Sequence, residues 1–176
     1  AVVSVVASFV ALATGFACST PSSSERFVEK VPDRASFDPV ALAMVHQCGT
    51  LDCHGVQARN LRLYGNEGLR LSPKDRPSFN HFDGGVPVVE ATSTTAAEID
   101  EDYLSVVGLE PESMTAVMND RGGVPNRLTL IRKARGEEQH KGLAIVKLGD
   151  DWDVCVTSWL AGATDAAACY KAAQKK

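Results

Sequence analysis

Residues 48 to 54 read Cys-Gly-Thr-Leu-Asp-Cys-His, so two thiols lie close together in the chain and an imidazole directly follows the second. Four residues separate Cys48 from Cys53, and His54 comes next. Side chains in this order can hold a haem through two covalent bonds, bind a zinc ion or, for the thiols alone, close a short disulfide loop. A haem, a zinc ion or a disulfide at this position would each constrain how the surrounding chain folds.

The order of the residues favours haem. In the usual attachment pattern, Cys-x-x-Cys-His, both cysteines bind the haem and the histidine follows the second of them. Cys48, Cys53 and His54 keep that order with a wider spacing. A simple disulfide gives no reason for His54 to stand beside the second thiol. Gly49 and Gly55 would let the backbone pass close to a flat ring system. A zinc site would need one further ligand, for which the other histidines are candidates: His46, His81 and His140.

The first seventeen residues are uncharged and mostly small or apolar, and a polar run follows them. This composition is typical of the hydrophobic region of a signal peptide, here residues 1–17. Gly15-Phe16-Ala17-Cys18 resembles a relaxed bacterial lipobox, so we expect Cys18 to carry lipid. Residues 18–35 would form a flexible tether and residues 36–176 a domain in the periplasm or cell envelope of a bacterium. Free secretion and an uncleaved anchor are the alternatives.

The five cysteines can be divided without remainder. Cys18 would carry lipid, Cys48 and Cys53 would carry haem, and Cys155 with Cys169 would form a disulfide in an oxidising compartment. A disulfide between Cys48 and Cys53 would satisfy the same count, so parity alone does not decide between the two.

Composition excludes several functions. The net charge is -4, and Lys and Arg are dispersed among Asp and Glu, so nothing indicates a nucleic-acid surface. No catalytic triad, phosphate-binding loop or zinc-protease helix is present, which predicts a protein that is not an enzyme. Arginine forks match carboxylates, so three arginines are candidates for pairing with haem propionates, against the alternative that each is a solvated surface residue: Arg59, Arg62 and Arg70.

The apolar pattern predicts a mostly α-helical domain with short helices and long loops. Asp38 and Pro39 begin a first helix that runs into Cys48. Short extended pieces are predicted at 61–65 and 68–71, and a long loop at 72–97, which lacks periodicity. Further helices are predicted at 98–108, 111–119, 125–136, 152–160 and from 165 onward.

Four segments carry a family resemblance: Cys-Gly-Thr-Leu-Asp-Cys-His-Gly at 48–55, Arg-Asn-Leu-Arg-Leu-Tyr-Gly at 59–65, Leu-Thr-Leu-Ile-Arg-Lys-Ala-Arg-Gly at 128–136 with His-Lys-Gly soon after, and Thr-Ser-Trp-Leu-Ala-Gly-Ala at 157–163. Together they resemble the cytochrome c-like lipoproteins of myxobacterial and planctomycete type, over about residues 37–169. The resemblance implies a small cytochrome c-like helical domain with one covalent haem. Cys48 and Cys53 would form the thioethers, and His54 would be the proximal iron ligand.

The ligand on the other side of the iron stays open at this point. The resemblance places a His-Gly segment where His140-Lys141-Gly142 stands, which favours His140. Met114 and Met118 are the alternatives, because many cytochromes with one haem use an axial methionine, and an open or water-bound position is the third.

Two functions follow from these alternatives. The first is electron transfer to redox partner proteins by a cytochrome tethered through its lipid. The second is an interaction role for an envelope lipoprotein without haem, in which a disulfide joins Cys48 to Cys53.

Overall fold

The computed structural model describes residues 29–75, 78–83, 86–90 and 93–174. Over these residues the chain forms six α-helices and one two-stranded hairpin, which confirms the prediction of a small, mostly helical domain. The helices are α1 (Asp38–Cys48), α2 (Ala96–Val107), α3 (Pro111–Asn119), α4 (Thr129–Ala134), α5 (Asp151–Leu160) and α6 (Ala166–Ala172). In the described part of the chain, no helix has the length and apolar character that a membrane crossing requires.

Helix α1 lies in the centre of the core because most of its residues are apolar. It packs against α5 and α6, and its buried residues include Met44 and Cys48. Phe37, directly before the helix, is buried against Trp159 with the ring centres 4.9 Å apart. The helix therefore brings Cys48 to the start of the motif from inside the core.

A disulfide joins α5 to α6, and this confirms the predicted pair. Cys155 and Cys169 are bonded at an S–S distance of 2.04 Å, and both residues are fully buried. Because α1 packs against both of these helices, the bond holds together the surface on which the central helix rests.

A buried ion pair joins the segment that follows the motif to α2. Arg70 Nε and Nη2 donate to the Glu98 carboxylate at 2.7 and 2.9 Å. Glu98 also accepts the N–H groups of Leu71 and Thr95, and its bond to Thr95 completes a capping box at the start of α2. Burial acts to raise the pKa of Glu98, but these hydrogen bonds outweigh it and hold the pKa below its usual value. Arg70 is therefore engaged in the core, and the interpretation that it pairs with a propionate is wrong.

Asp102 is a second buried carboxyl group on α2. Its Oδ1 accepts the N–H of Tyr64 at 2.6 Å, whereas Oδ2 has no hydrogen-bond partner among the described residues. Burial raises the pKa of Asp102 to about 8, and the charges of Glu98 and Glu101 act in the same direction. The group is therefore mostly protonated at neutral pH.

We expect Asp102→Asn to stabilise the protein at alkaline pH. The pKa of Asp102 is about 8 in the folded protein and 3.8 in the unfolded chain. The contribution of the protonated group to stability is therefore fully present below pH 3.8 and is lost as pH rises through about 8. Asparagine keeps the acceptor for Tyr64 and carries no charge. Urea unfolding should give nearly equal stabilities near pH 4 and a variant more stable by about 5–6 kcal/mol at pH 9. Equal stabilities at both pH values would contradict a buried, protonated Asp102.

The folded domain begins earlier than predicted. Two aromatic side chains of the core donate hydrogen bonds to the segment before α1: Tyr103 to Pro32 O at 2.8 Å and Trp159 to Asp33 O at 3.1 Å. The prediction of a flexible tether is therefore wrong for residues 29–35. Residues 1–28, which include the predicted signal peptide and Cys18, lie outside the described residues.

The predicted loop over 72–97 is wrong in its centre. A 3-10 turn at Pro73–Asp75 precedes an antiparallel hairpin of β1 (Ser78–Asp83) and β2 (Val86–Glu90). Helix α2 begins at Ala96, two residues before the predicted start. The two extended pieces predicted before this loop meet in an isolated bridge between Tyr64 and Leu69.

Candidate haem-binding site

A cavity of about 850 Å³ lies beside the motif and brings four of the predicted residues together. Cys48, Cys53, His54 and His140 all line it. The rest of its wall comes from residues 58–61, from α4, from the α2–α3 connection and from the loop after α4. Ligand and cofactor sites typically have volumes of about 300–1,000 Å³, so the cavity has room for a cofactor.

The four residues between the two cysteines fold into a compact turn. Helix α1 ends where Gly49 N–H bonds to Val45 O at 2.8 Å. Cys53 N–H then bonds to Thr50 O at 3.0 Å, and His54 N–H returns to Cys48 O at 2.9 Å. The wide spacing therefore still places His54 next to the first cysteine of the motif.

Two glycines allow the backbone to pack closely at this turn, Gly55 at the end of the motif and Gly68 further along the chain. A Cβ on Gly55 would lie 2.0 Å from Gly49 O, and a Cβ on Gly68 would lie 2.2 Å from the same oxygen. Both positions need glycine because backbone meets backbone there. This differs from the sequence interpretation, which assigned Gly49 and Gly55 to close approach of a flat ring system.

The two thiols of the motif are free. Cys48 is buried, Cys53 is half-buried, and neither is joined to another of the cysteines that the structure describes. Burial, with a smaller contribution from Cys53, raises the pKa of the Cys48 thiol to about 12, so Cys48 keeps its proton. A disulfide between Cys48 and Cys53, the alternative from the sequence, is not what the structure contains.

A zinc site was another alternative from the sequence. Among the described residues, no group of three or more His, Cys, Asp or Glu side chains is placed to hold a metal ion. His46 instead lies at the surface end of α1, with Nδ1 3.4 Å from Glu67 Oε1. His81 lies in β1, whose side chains are outside the described set.

His54 is held as a neutral base. Its Nδ1 lies 3.0 Å from the carbonyl oxygen of Leu61. A carbonyl only accepts, so Nδ1 carries the proton and Nε2 keeps its lone pair. Burial is the main cause that lowers the pKa of His54; the bond to Leu61 opposes the shift, while His140, Arg59 and Lys133 add to it. Neutral imidazole with its second nitrogen bonded to a carbonyl is the form that ligates metals.

His140 is presented by a tight turn. Leu143 N–H bonds to His140 O at 3.0 Å, and His140 Nδ1 lies 3.4 Å from Leu143 O. The same argument therefore leaves Nε2 as the ring nitrogen available for a ligand bond. A Cβ on Gly142 would lie 3.1 Å from Cε1 of the His140 ring, so glycine gives the ring its space.

The two imidazole rings lie close to each other and nearly parallel. The rings of His54 and His140 are inclined by only 15°, and their centres are 5.9 Å apart. Metal–imidazole bonds are about 2 Å long, so an ion between two ring nitrogens places the ring centres about 6 Å apart. The separation of the ring centres is therefore close to the one that two imidazoles on opposite sides of one metal ion would have.

The methionines lie elsewhere. Met114 is almost fully buried in the core, and Met118 packs against that core from its edge. Neither lines the cavity. Of the three candidate side chains, His140 is the one that lines the cavity with His54.

Cations border the cavity, although they are only partly those predicted. Arg59 lines it and donates from Nε to Cys53 O at 3.0 Å. Arg62 lines a neighbouring cavity, and Arg70 is buried against Glu98. Lys133, which sequence reasoning missed, lines the main cavity from α4. The sequence feature that could have pointed to Lys133 is its position within the Leu-Thr-Leu-Ile-Arg-Lys-Ala-Arg-Gly segment that carries the family resemblance.

These residues fit a covalently held haem. The cavity combines two free thiols with two nearly parallel imidazoles, and its apolar wall includes Leu61, Leu109, Leu130 and Ile145. Basic side chains at the border could neutralise carboxylates. No family model, curated protein or solved structure matches this chain.

Proposed function

We propose that this protein is a c-type cytochrome that carries electrons between redox partner proteins through one covalently bound haem. The observation that carries the proposal is the near-parallel pair of His54 and His140, with ring centres 5.9 Å apart, which lines one cavity together with Cys48 and Cys53. The resemblance of the motif segments to cytochrome c-like lipoproteins points to the same function.

Each residue has a chemical role in this proposal. Haem, when bound, supplies a one-electron couple between ferric and ferrous iron. Cys48 and Cys53 would each add S–H across one vinyl group, a reaction in which sulfur bonds to one carbon and hydrogen to the other, so no oxidant is required. His54 and His140 would hold the iron through their ring nitrogens.

The proposed compartment is the bacterial periplasm or cell envelope. The disulfide between Cys155 and Cys169 supports an oxidising environment, since such bonds are rare in reducing compartments. A lipid on Cys18 after a signal peptide at 1–17 would hold the protein at a membrane, as the sequence predicts. The partners would be other redox proteins, and nucleic acid is not among them.

The test is covalent attachment. Protein produced with a cytochrome maturation system should keep its Soret band after acid-acetone extraction, and its intact mass should exceed that of the polypeptide by one haem. A mass equal to the polypeptide alone would overturn the proposal. Non-reducing peptide mapping would then detect a Cys48–Cys53 bond, which the envelope lipoprotein without haem requires.

We expect His140→Ala to change the axial ligation of the iron. Wild-type protein should be six-coordinate and low-spin, and its ferric form should lack the weak far-red band of a methionine ligand. The variant should become high-spin or water-ligated because one axial nitrogen is lost. Absorption and electron paramagnetic resonance spectra measure this. Met114→Leu and Met118→Leu are the controls and should leave the spectrum unchanged; loss of a far-red band in one of them would move the ligand to that methionine.

A further inference from the structure

The two histidines are held with very different strength. His54 is fixed at three points: its N–H bonds to Cys48 O at 2.9 Å, its own carbonyl accepts Leu63 N–H at 3.0 Å, and Nδ1 bonds to Leu61 O at 3.0 Å. Leu61 and Leu63 are both buried. The proximal ring therefore moves only if part of the core moves.

His140 is held by its turn alone. Among the described residues, the hydrogen bonds of residues 139–144 are those between His140 and Leu143, and both lie within the turn. Residues 141–145 are all exposed. Leu143 adopts a φ of 59°, a left-handed conformation that is unfavourable for leucine. In the part of the chain that the structure describes, no hydrogen bond ties the ring of His140 to the core.

The base of the loop is nevertheless well defined. The N–H groups of Ile145 and Val146 both bond to Ala134 O at 3.1 Å, and Val146 is buried. Gly136, with a φ of 73°, begins the loop on the other side. The loop can thus open about a fixed base without disturbing α4.

We infer that His140 is an exchangeable ligand and that the distal side of this site binds a small neutral diatomic molecule, such as carbon monoxide, when the turn 140–143 swings away. The inference rests on the proposed haem function. Exchange changes no oxidation state, since His140 leaves as a neutral base and carbon monoxide donates one electron pair in its place. His54 stays bound throughout.

Carbon monoxide binding to the ferrous, haem-loaded full chain tests the inference. The binding rate of the wild type should level off at high carbon monoxide concentration, because opening of the turn becomes limiting. His140→Ala should bind with a rate that stays proportional to concentration. Hydrogen exchange should speed up at Leu143 N–H on binding and remain unchanged at the amides of His54 and Leu63.

Gly142→Ala is the variant that changes the turn without removing the ligand. Its added Cβ would crowd the His140 ring at 3.1 Å, so the limiting rate should rise, by about tenfold. Gly123→Ala is the matched control, because its Cβ would meet Asp120 O at a similar 3.0 Å in a part of the chain that does not line the cavity. The control should leave the limiting rate unchanged.

Two results would overturn the inference while leaving the proposed function intact. Covalent haem that forms no carbon monoxide complex would show that both histidines are fixed. Wild-type binding that is as fast as in His140→Ala and never levels off would show that His140 does not occupy the position. Absence of haem overturns the proposed function, and the inference with it.

Discussion

Protein in which Cys48 and Cys53 are both replaced by alanine is expected to lose all of its haem on acid-acetone extraction. Both thiols line the cavity and are free to react, and no other free cysteine is found among the described residues. Each single variant should keep one thioether and therefore retain some covalent haem. Intact mass and the spectrum of the extracted polypeptide measure the outcome. Covalent haem that survives in the double variant would exclude these two residues as the attachment points.

The other cysteine pair provides the control. Replacing Cys155 and Cys169 by alanine should leave covalent haem in place, because the bond between α5 and α6 does not line the cavity. It should lower the free energy of unfolding by about 3 kcal/mol, as expected for a closed loop of this length. The two double variants thus separate loss of attachment from loss of stability.

The largest expected loss of stability follows Glu98→Ala. The substitution leaves the Arg70 guanidinium buried without its carboxylate, and it removes the acceptor for the N–H groups of Leu71 and Thr95. Removing one partner of a buried ion pair typically costs about 3–5 kcal/mol. Urea unfolding at neutral pH measures it. In the wild type, the contribution of Glu98 is present above its unfolded pKa and is lost as pH falls through its lowered folded pKa.

An exposed ion pair gives the comparison. Arg127 Nη2 lies 3.1 Å from Asp120 Oδ2, and both side chains are more than two-fifths exposed. Asp120→Ala should cost less than about 1 kcal/mol, because water screens an exposed pair. Similar losses of unfolding free energy in the Glu98 and Asp120 variants would show that the buried Arg70–Glu98 pair contributes no more to stability than an exposed pair.

The sequence predicted the elements whose signals are local. Asp38 and Pro39 mark the start of α1, apolar residues continue that helix to Cys48, and α1 has these bounds. The Cys155–Cys169 bond followed from cysteine parity together with the expected oxidising compartment. These features depend on neighbouring residues or on simple counting, so one sequence was enough.

Other features depend on contacts that no local pattern encodes. In the sequence, Arg70 looks like a surface cation. In the structure, α2 places Glu98 beside it in the core. His140 and the two methionines were comparable candidates in the sequence, and only the fold places His140 opposite His54 while burying Met114. The backbone carbonyl of Leu61 fixes the ring of His54. Every residue has a backbone carbonyl, so the sequence cannot indicate which one will accept this hydrogen bond.

The hydrogen bonds of the Cys48–Gly55 turn have a consequence for the order of assembly. They connect residues only a few positions apart, so this half of the site can close in a chain that is otherwise unfolded. His140 comes from a distant part of the chain and reaches the cavity only after α4 has packed, since long-range contacts form late. In the proposed cytochrome, a newly made chain would thus present both thiols and His54 to the attachment machinery as a local element. Placement of His140 beside them would then be the last step of maturation.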